Sequence, residues 1–374
     1  MKTFSDIANE GIGKLATYEP GRPIEEVARE LGIEDPASIV KLASNENALG
    51  TSPKAVAAMR EAATEMYRYP DGGAYYLKQA LADRLELEPA QLLHVNGSNE
   101  ALELLAHVFL GPGANVVVAE YAFIVYRLIA ASSRADVVSV PMREFTHDLP
   151  AMLDAITPDT RIVFVSNPNN PTGTMVDGAA IERFMDSVPD YVVTCFDEAY
   201  IELLPSEMQP DTLRYVREGR KVVVTRTFSK TFGLAGLRIG YVAAPGECIS
   251  LLNRVRQPFN VNAMAMVAAI AALGDTDHVK RTVAMVREGL AYLEKEFEGM
   301  GLPYVPAVAN FMLVETGAVA PHLPGRRIFE ALQRKGLIVR AMDGYGLPQH
   351  VRVTVGTKDE NERLVRALRE VVGG

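Results

Sequence analysis

The middle of this chain alternates short, continuously apolar runs with stretches of helical spacing, and that alternation leaves few folds open. The runs are Val116–Ala119, Val137–Val140, Arg161–Val165, Tyr191–Phe196, Lys221–Thr225 and Leu237–Ala243. Several are apolar throughout rather than at every second position, as expected for strands buried on both faces of a mostly parallel sheet. Between them lie helix candidates such as Asn99–Leu110, where Ala101, Leu104, Leu105, Val108 and Phe109 recur at helical spacing. Strands alternating with helices imply an α/β lobe with a doubly wound sheet, spanning residues 46–262. From Asn262 the texture changes. One long helical stretch to Glu298 precedes strand-like Asn310–Val314 and Val351–Val355. Thr357-Lys-Asp-Glu360 then reads as a capping box before a final amphipathic helix. This pattern implies a smaller α+β lobe built from both chain ends, residues 1–45 and 263–374.

Composition removes several function classes. A formal charge of −9 disfavours a nucleic-acid surface, because phosphate backbones select for basic patches. The longest apolar stretch, Ala263–Leu273, is far shorter than the roughly 20 residues of a membrane span. The opening MKTFSDIANEG lacks the apolar core of a signal peptide, so a cytoplasmic protein is expected. Cys195 and Cys248 have no metal-type spacing, and the six histidines form no HExxH-like cluster, so no metal is expected. Cys195, inside an apolar run, reads as a reduced, buried thiol.

In an open parallel sheet, ligands bind beyond the carboxyl ends of the strands. Here those ends run into Asn167-Pro-Asn-Asn-Pro-Thr-Gly173, Asp197-Glu-Ala-Tyr200 and Arg226-Thr-Phe-Ser-Lys230, while the helix candidate at residue 99 begins with Gly97-Ser-Asn99. Each motif alone has an ordinary reading: a turn, a helix start, a surface lysine, a helix cap. There is no GxxxxGK[ST] to hold a nucleotide, and Gly233-Leu-Ala-Gly-Leu-Arg-Ile-Gly240 lacks GxGxxG spacing. Together the motifs match the needs of pyridoxal 5'-phosphate: a lysine Schiff base, an acid at the ring nitrogen and a phosphate cradle. Lys230 would supply the amine and shuttle the α-proton. Asp197 would keep the pyridine nitrogen protonated, with an attraction of roughly 5 kcal/mol at an effective dielectric near 20 before desolvation. Asn170 and Tyr200 would hydrogen-bond the phenolic oxygen. Ser98 and Asn99 at a helix N-terminus, with Ser229 and Arg238, would cradle the phosphate.

The order Asn170-Pro-Thr-Gly, Asp197-Glu-Ala-Tyr200 and Ser229-Lys230 followed by Gly233-Leu-Ala-Gly-Leu-Arg238 resembles fold-type I aminotransferases. Lys41-Leu-Ala-Ser-Asn-Glu-Asn47, Tyr67-Arg-Tyr-Pro-Asp71 and Val351-Arg-Val-Thr-Val-Gly-Thr357 are similar to histidinol-phosphate aminotransferases, the branch serving histidine biosynthesis. The resemblance implies a homodimer in which Tyr69 reaches the neighbouring subunit's cofactor phosphate. It implies Thr227 in the cofactor site, Asn47 and Arg352 at the substrate, with Arg352 on its α-carboxylate, and Tyr18 and Arg340 near a substrate phosphate. Phe123 falls where many relatives place a stacking tyrosine, so stacking alone is assigned to it. Ala48 replaces a usual proline.

The implied reaction moves the amino group of histidinol phosphate to 2-oxoglutarate. The same scaffold could instead serve an aromatic amino-acid aminotransferase or an amino-acid-phosphate decarboxylase. A cofactor-binding regulator would need a fused DNA-binding module, and the leading 45 residues are too few and not basic.

Overall fold

A computed structural model describes residues 2–9, 12–14, 21–319 and 323–373. In chain order the first strands are β1 (Val40–Lys41), β2 (Leu92–Val95), β3 (Asn115–Ala119), β4 (Asp136–Val140), β5 (Thr160–Ser166), β6 (Val193–Asp197), β7 (Val222–Thr227) and β8 (Gly240–Ala243). They are followed by β9 (Tyr304–Val305), β10 (Phe311–Glu315), β11 (Leu337–Ile338), β12 (Arg340–Ala341) and β13 (His350–Thr354). Seven of them form one sheet in the order β2-β8-β7-β6-β5-β3-β4. Pairing is parallel from β7 through β4, and β8 runs antiparallel between β7 and β2. The all-apolar runs form its centre: Phe164 and Phe196 are fully buried, as are Val116, Val117 and Val224. The fold is the mixed α/β, mostly parallel architecture expected of a fold-type I chain.

The reversed strand β8 has a consequence for the site. Its first residue lies at the same sheet edge as the last residues of its neighbours, so Arg238, just before it, joins the strand ends that carry Asp197 and Thr227. The sheet changes winding direction between β3 and β5, the position where open α/β sheets bind ligands.

The smaller lobe holds a second sheet in the order β12-β13-β10-β9, entirely antiparallel. Its core joins Phe311, Val351, Val353 and Val355 to Ile328, Leu332, Leu364 and Phe297. The expected capping box is present: the Glu360 carboxylate accepts from the Thr357 amide at 2.7 Å, and the Glu360 amide donates to the Thr357 hydroxyl at 3.4 Å. β1 pairs in parallel with β11, fastening the leading segment to this lobe.

Two expectations need correction. The stretch after Asn262 is two helices, Ala263–Leu273 and Thr276–Gly299, separated at Gly274 and Asp275. Asp275 caps the second helix and accepts a 2.6 Å hydrogen bond from the Ser52 hydroxyl. The first helix also packs into the core of the large lobe through Ala265, Met266, Ala268, Ala269 and Ala272. The change of lobe therefore falls within the long helix Thr276–Gly299 rather than at residue 262. One face of this almost wholly apolar helix is buried against the sheet-bearing lobe, and Met264, Val267, Ile270 and Leu273 on the rest of it are half-buried.

Candidate active site

The strand ends converge on a cleft of about 270 Å³ between the lobes. Twelve residues singled out in the sequence line it: Ser98, Asn99, Phe123, Asn170, Asp197, Tyr200, Thr227, Ser229, Lys230, Arg238, Arg340 and Arg352.

Lys230 follows β7 and is half-buried, with its Nζ donating to the Ser44 carbonyl at 3.1 Å. Burial foremost, and then the nearby Arg352 guanidinium, lowers its ammonium to about 8. A larger share of this lysine is therefore neutral, and so nucleophilic, near neutral pH than of an ordinary one. Asp197 ends β6 and is 4% exposed. Its Oδ2 accepts from the Tyr126 hydroxyl at 2.7 Å, while Oδ1 has no hydrogen-bond partner among the described residues. Burial raises this carboxyl above its ordinary range, and the Tyr126 hydroxyl works in the opposite direction. A buried carboxylate oxygen at a cleft calls for a donor from a ligand.

Tyr200 is buried, its oxygen accepting from Asn45 Nδ2 at 2.9 Å, and burial pushes its phenol up to about 12. Its own hydrogen is therefore retained for donation. The Asn167–Gly173 loop fastens itself: Asn167 exchanges hydrogen bonds with the Val176 backbone, and Asn169 donates to the Tyr121 carbonyl and the Thr172 hydroxyl. Asn170 is left to face the cleft, where its Oδ1 accepts from Arg352 Nη1 at 2.5 Å. Arg352 also donates to the Ala43 carbonyl at 2.7 Å and lies over the Phe311 ring. It is 7% exposed on an interior strand, which excludes a solvated edge-strand role.

Opposite these groups, the helix Ser98–Phe109 starts at the cleft after Gly97, whose φ of +79° suits glycine. A Cβ on Gly97 would strike the Arg238 guanidinium. Thr227 and Ser229 are linked hydroxyl to hydroxyl at 2.9 Å on the same wall. An N-terminus, two hydroxyls and a guanidinium form a donor set suited to a phosphate. With Lys230 and the unpartnered Asp197 oxygen, these residues fit pyridoxal phosphate.

Three expected residues are not in this group. Asn47 does not line the cleft: its amide donates to the Thr231 carbonyl and the Thr282 hydroxyl, and its oxygen accepts from Leu49. It is a latch between segments, and the neighbouring Ser44, Asn45 and Glu46 line the cleft instead. The reason is local, since Asn45 has a φ of +55° and turns the chain. Tyr69 is 83% exposed and stacked on Phe259 at 4.8 Å, away from the cleft of its own chain. Tyr18 lies outside the described residues.

Sequence reasoning also missed residues. Asn45 accepts from and donates to Thr354, and its carbonyl receives Asn310, so it ties the site to the smaller lobe. Two asparagines flanking Glu46 offered a signal, because asparagine is enriched in left-handed conformations. Tyr126 gave none, being one aromatic residue on a helix.

The family model for class I and II aminotransferases matches residues 37–368. The chain is 48% identical over 371 residues to the histidinol-phosphate aminotransferase of Akkermansia muciniphila, covering 99% of this chain and 100% of that one. It is 49% identical over 364 residues to that of Moorella thermoacetica, covering 97% and 92%. Among solved structures, the Sinorhizobium meliloti histidinol-phosphate aminotransferase in complex with pyridoxal-5'-phosphate superposes with a TM-score of 0.88 at 27% identity, covering 98% and 97%.

Proposed function

The chain belongs to the class I and II aminotransferase family, and from that premise we propose that it transfers the amino group of histidinol phosphate to 2-oxoglutarate with pyridoxal phosphate, as in histidine biosynthesis. Relatives of this name match nearly the whole chain. The observation that carries the reading within the molecule is the meeting of Lys230, Asp197 and a phosphate-type donor set with two arginines in one cleft.

When bound, the cofactor supplies an electron-accepting ring conjugated to the amino group. Lys230 would hold its aldehyde carbon, and the same Nζ would take and return the proton at the amino-bearing carbon of the substrate. Its lowered ionisation suits both duties, because a base works best with an ionisation near the operating pH. Asp197 Oδ1 would hold the proton on the pyridine nitrogen. Asn170, whose oxygen is taken by Arg352, has its amide hydrogens left to donate beside the Tyr200 hydroxyl; both would serve the phenolic oxygen. Ser98, Asn99, Thr227, Ser229 and Arg238 would bind the phosphate, and Phe123 would lie against the ring.

Arg352, steadied by Asn170 and Ala43, would take the α-carboxylate of glutamate or 2-oxoglutarate. Arg340 would take the phosphate of histidinol phosphate, with Tyr18 beside it. We extend the proposal to the assembly: a homodimer in which the exposed Tyr69 serves the partner's cofactor phosphate, working in the cytoplasm.

The direct test supplies the loaded protein with histidinol phosphate and 2-oxoglutarate and measures glutamate and carbon dioxide. Transamination gives glutamate equal to the histidinol phosphate consumed, and turnover stops without the keto acid. In a parallel run with a phosphorylated amino acid, which unlike histidinol phosphate has a carboxylate to lose, carbon dioxide released without an acceptor would replace this reading with a decarboxylase.

A further inference from the structure

Tyr126 lies outside every motif that marks the cleft, yet its hydroxyl donates a short hydrogen bond to the Asp197 carboxylate. It sits on the helix Val125–Ser132 and is fully buried. Its ring stacks on Phe164 of β5, with centroids 4.6 Å apart and planes 4° from parallel, and meets Phe123 edge-on at 5.8 Å. Two rings therefore fix where the hydroxyl points, and it points at Asp197 Oδ2, 2.7 Å away. With Oδ2 engaged, the carboxylate cannot turn freely, and Oδ1 is the oxygen left at the cleft wall.

We infer that Tyr126 is a positioning residue for the reaction: its hydroxyl orients Asp197 and weakens it as a base, so that the shared proton stays on the cofactor's ring nitrogen. The inference rests on the proposed function. Its physics is a competition. In a buried pair, a proton between a pyridine nitrogen and a carboxylate can sit on either, and low polarity favours the uncharged arrangement. A donor on the far oxygen stabilises the carboxylate anion and tips the proton toward nitrogen, where it makes the ring a stronger electron acceptor. The other groups acting on Asp197 are divided. The Thr225 hydroxyl and the Ala199 amide favour the anion, Glu198 opposes it, and burial opposes it most. The Tyr126 phenol stays protonated, because burial and Asp197 itself both raise its ionisation.

The test is Tyr126→Phe, which removes the oxygen and keeps the ring that stacks. Protein loaded with ¹⁵N-labelled pyridoxal phosphate is followed by NMR, alongside the infrared carboxyl band of Asp197 in cofactor-free protein and steady-state kinetics. The expected result is a ring-nitrogen signal displaced toward its unprotonated value and an Asp197 carboxyl that ionises at higher pH. The turnover number should fall by about tenfold with KM within about twofold, the scale of one charge-assisted hydrogen bond. An unchanged nitrogen signal in Tyr126→Phe overturns the inference. A second variant, Phe164→Leu, loosens the stack and keeps the hydroxyl; it should lower the melting temperature and leave the nitrogen protonated. If it displaces the signal as far as Tyr126→Phe, packing is the cause and the inference fails. A wild-type protein that binds no pyridoxal phosphate, or binds it without a protonated ring nitrogen, overturns the proposed function itself.

Discussion

Arg340 and Arg352 stand directly opposite one another across the antiparallel pair β12–β13, and both line the cleft. Arg340→Gln is expected to raise KM for histidinol phosphate by about tenfold to a hundredfold, the range of a charge-assisted bond to phosphate. Phenylalanine turnover should change by less than about twofold, since an aromatic amino acid has no second anion for Arg340. Steady-state kinetics with both substrates check this, and equal losses would remove Arg340 from the phosphate role.

Lys230→Ala should abolish turnover and the yellow colour of the loaded protein while leaving its circular dichroism and melting transition intact. The wild-type lysine should also betray its environment. The neutral amine is the reactive form, so cofactor-free protein should combine with pyridoxal phosphate slowly below pH 8, faster as pH rises through about 8, and at a constant rate above. A rate still climbing toward the ordinary lysine value of about 10.4 would mean the amine is not desolvated. Stopped-flow absorbance over a pH series provides the measurement.

Gly97→Ala tests the phosphate cradle without touching a charged residue. The added methyl occupies the position of the Arg238 guanidinium, at a φ of +79° that alanine resists. Cofactor affinity should fall by about tenfold or more, read by titrating cofactor-free protein, with the large lobe still folded. Unchanged affinity would take Arg238 out of the cradle.

Much of this site was legible because a parallel sheet delivers strand ends to one edge. Asn170 and Lys230 follow strands, and Asp197 and Thr227 end them, within the alternation of strands and helices that implies a parallel sheet. Arg238 was legible by motif alone, since nothing in the run Leu237–Ala243 states that β8 runs antiparallel. Residues placed by long-range geometry were not legible. Asn47 and Asn45 differ by two positions and look interchangeable in sequence; a single left-handed residue decides which faces the cleft. Tyr126 gains its role from a strand 71 residues further along the chain. The lobe boundary was misread because periodicity continues across Gly274, while the partners of the two helices differ.

The dimer reading can be tested by complementation. Tyr69 is exposed and stacked on Phe259 rather than turned to its own cleft. Lys230→Ala and Tyr69→Ala homodimers should each have little activity. Dissociated together and reassociated, they should yield hybrids with one intact site, recovering about a quarter of wild-type activity if pairing is random. No recovery, with hybrids verified by native mass spectrometry, would mean that Tyr69 does not act across subunits.

On the proposed reading this cleft is built for histidinol phosphate. The most direct measurement is a single-turnover titration of the loaded protein, without keto acid, following loss of the bound cofactor's visible absorbance with histidinol phosphate and, separately, phenylalanine. Fast, tight conversion with histidinol phosphate alone is the expected result. Equal or better conversion with phenylalanine would contradict the account and make the protein an aromatic amino-acid aminotransferase.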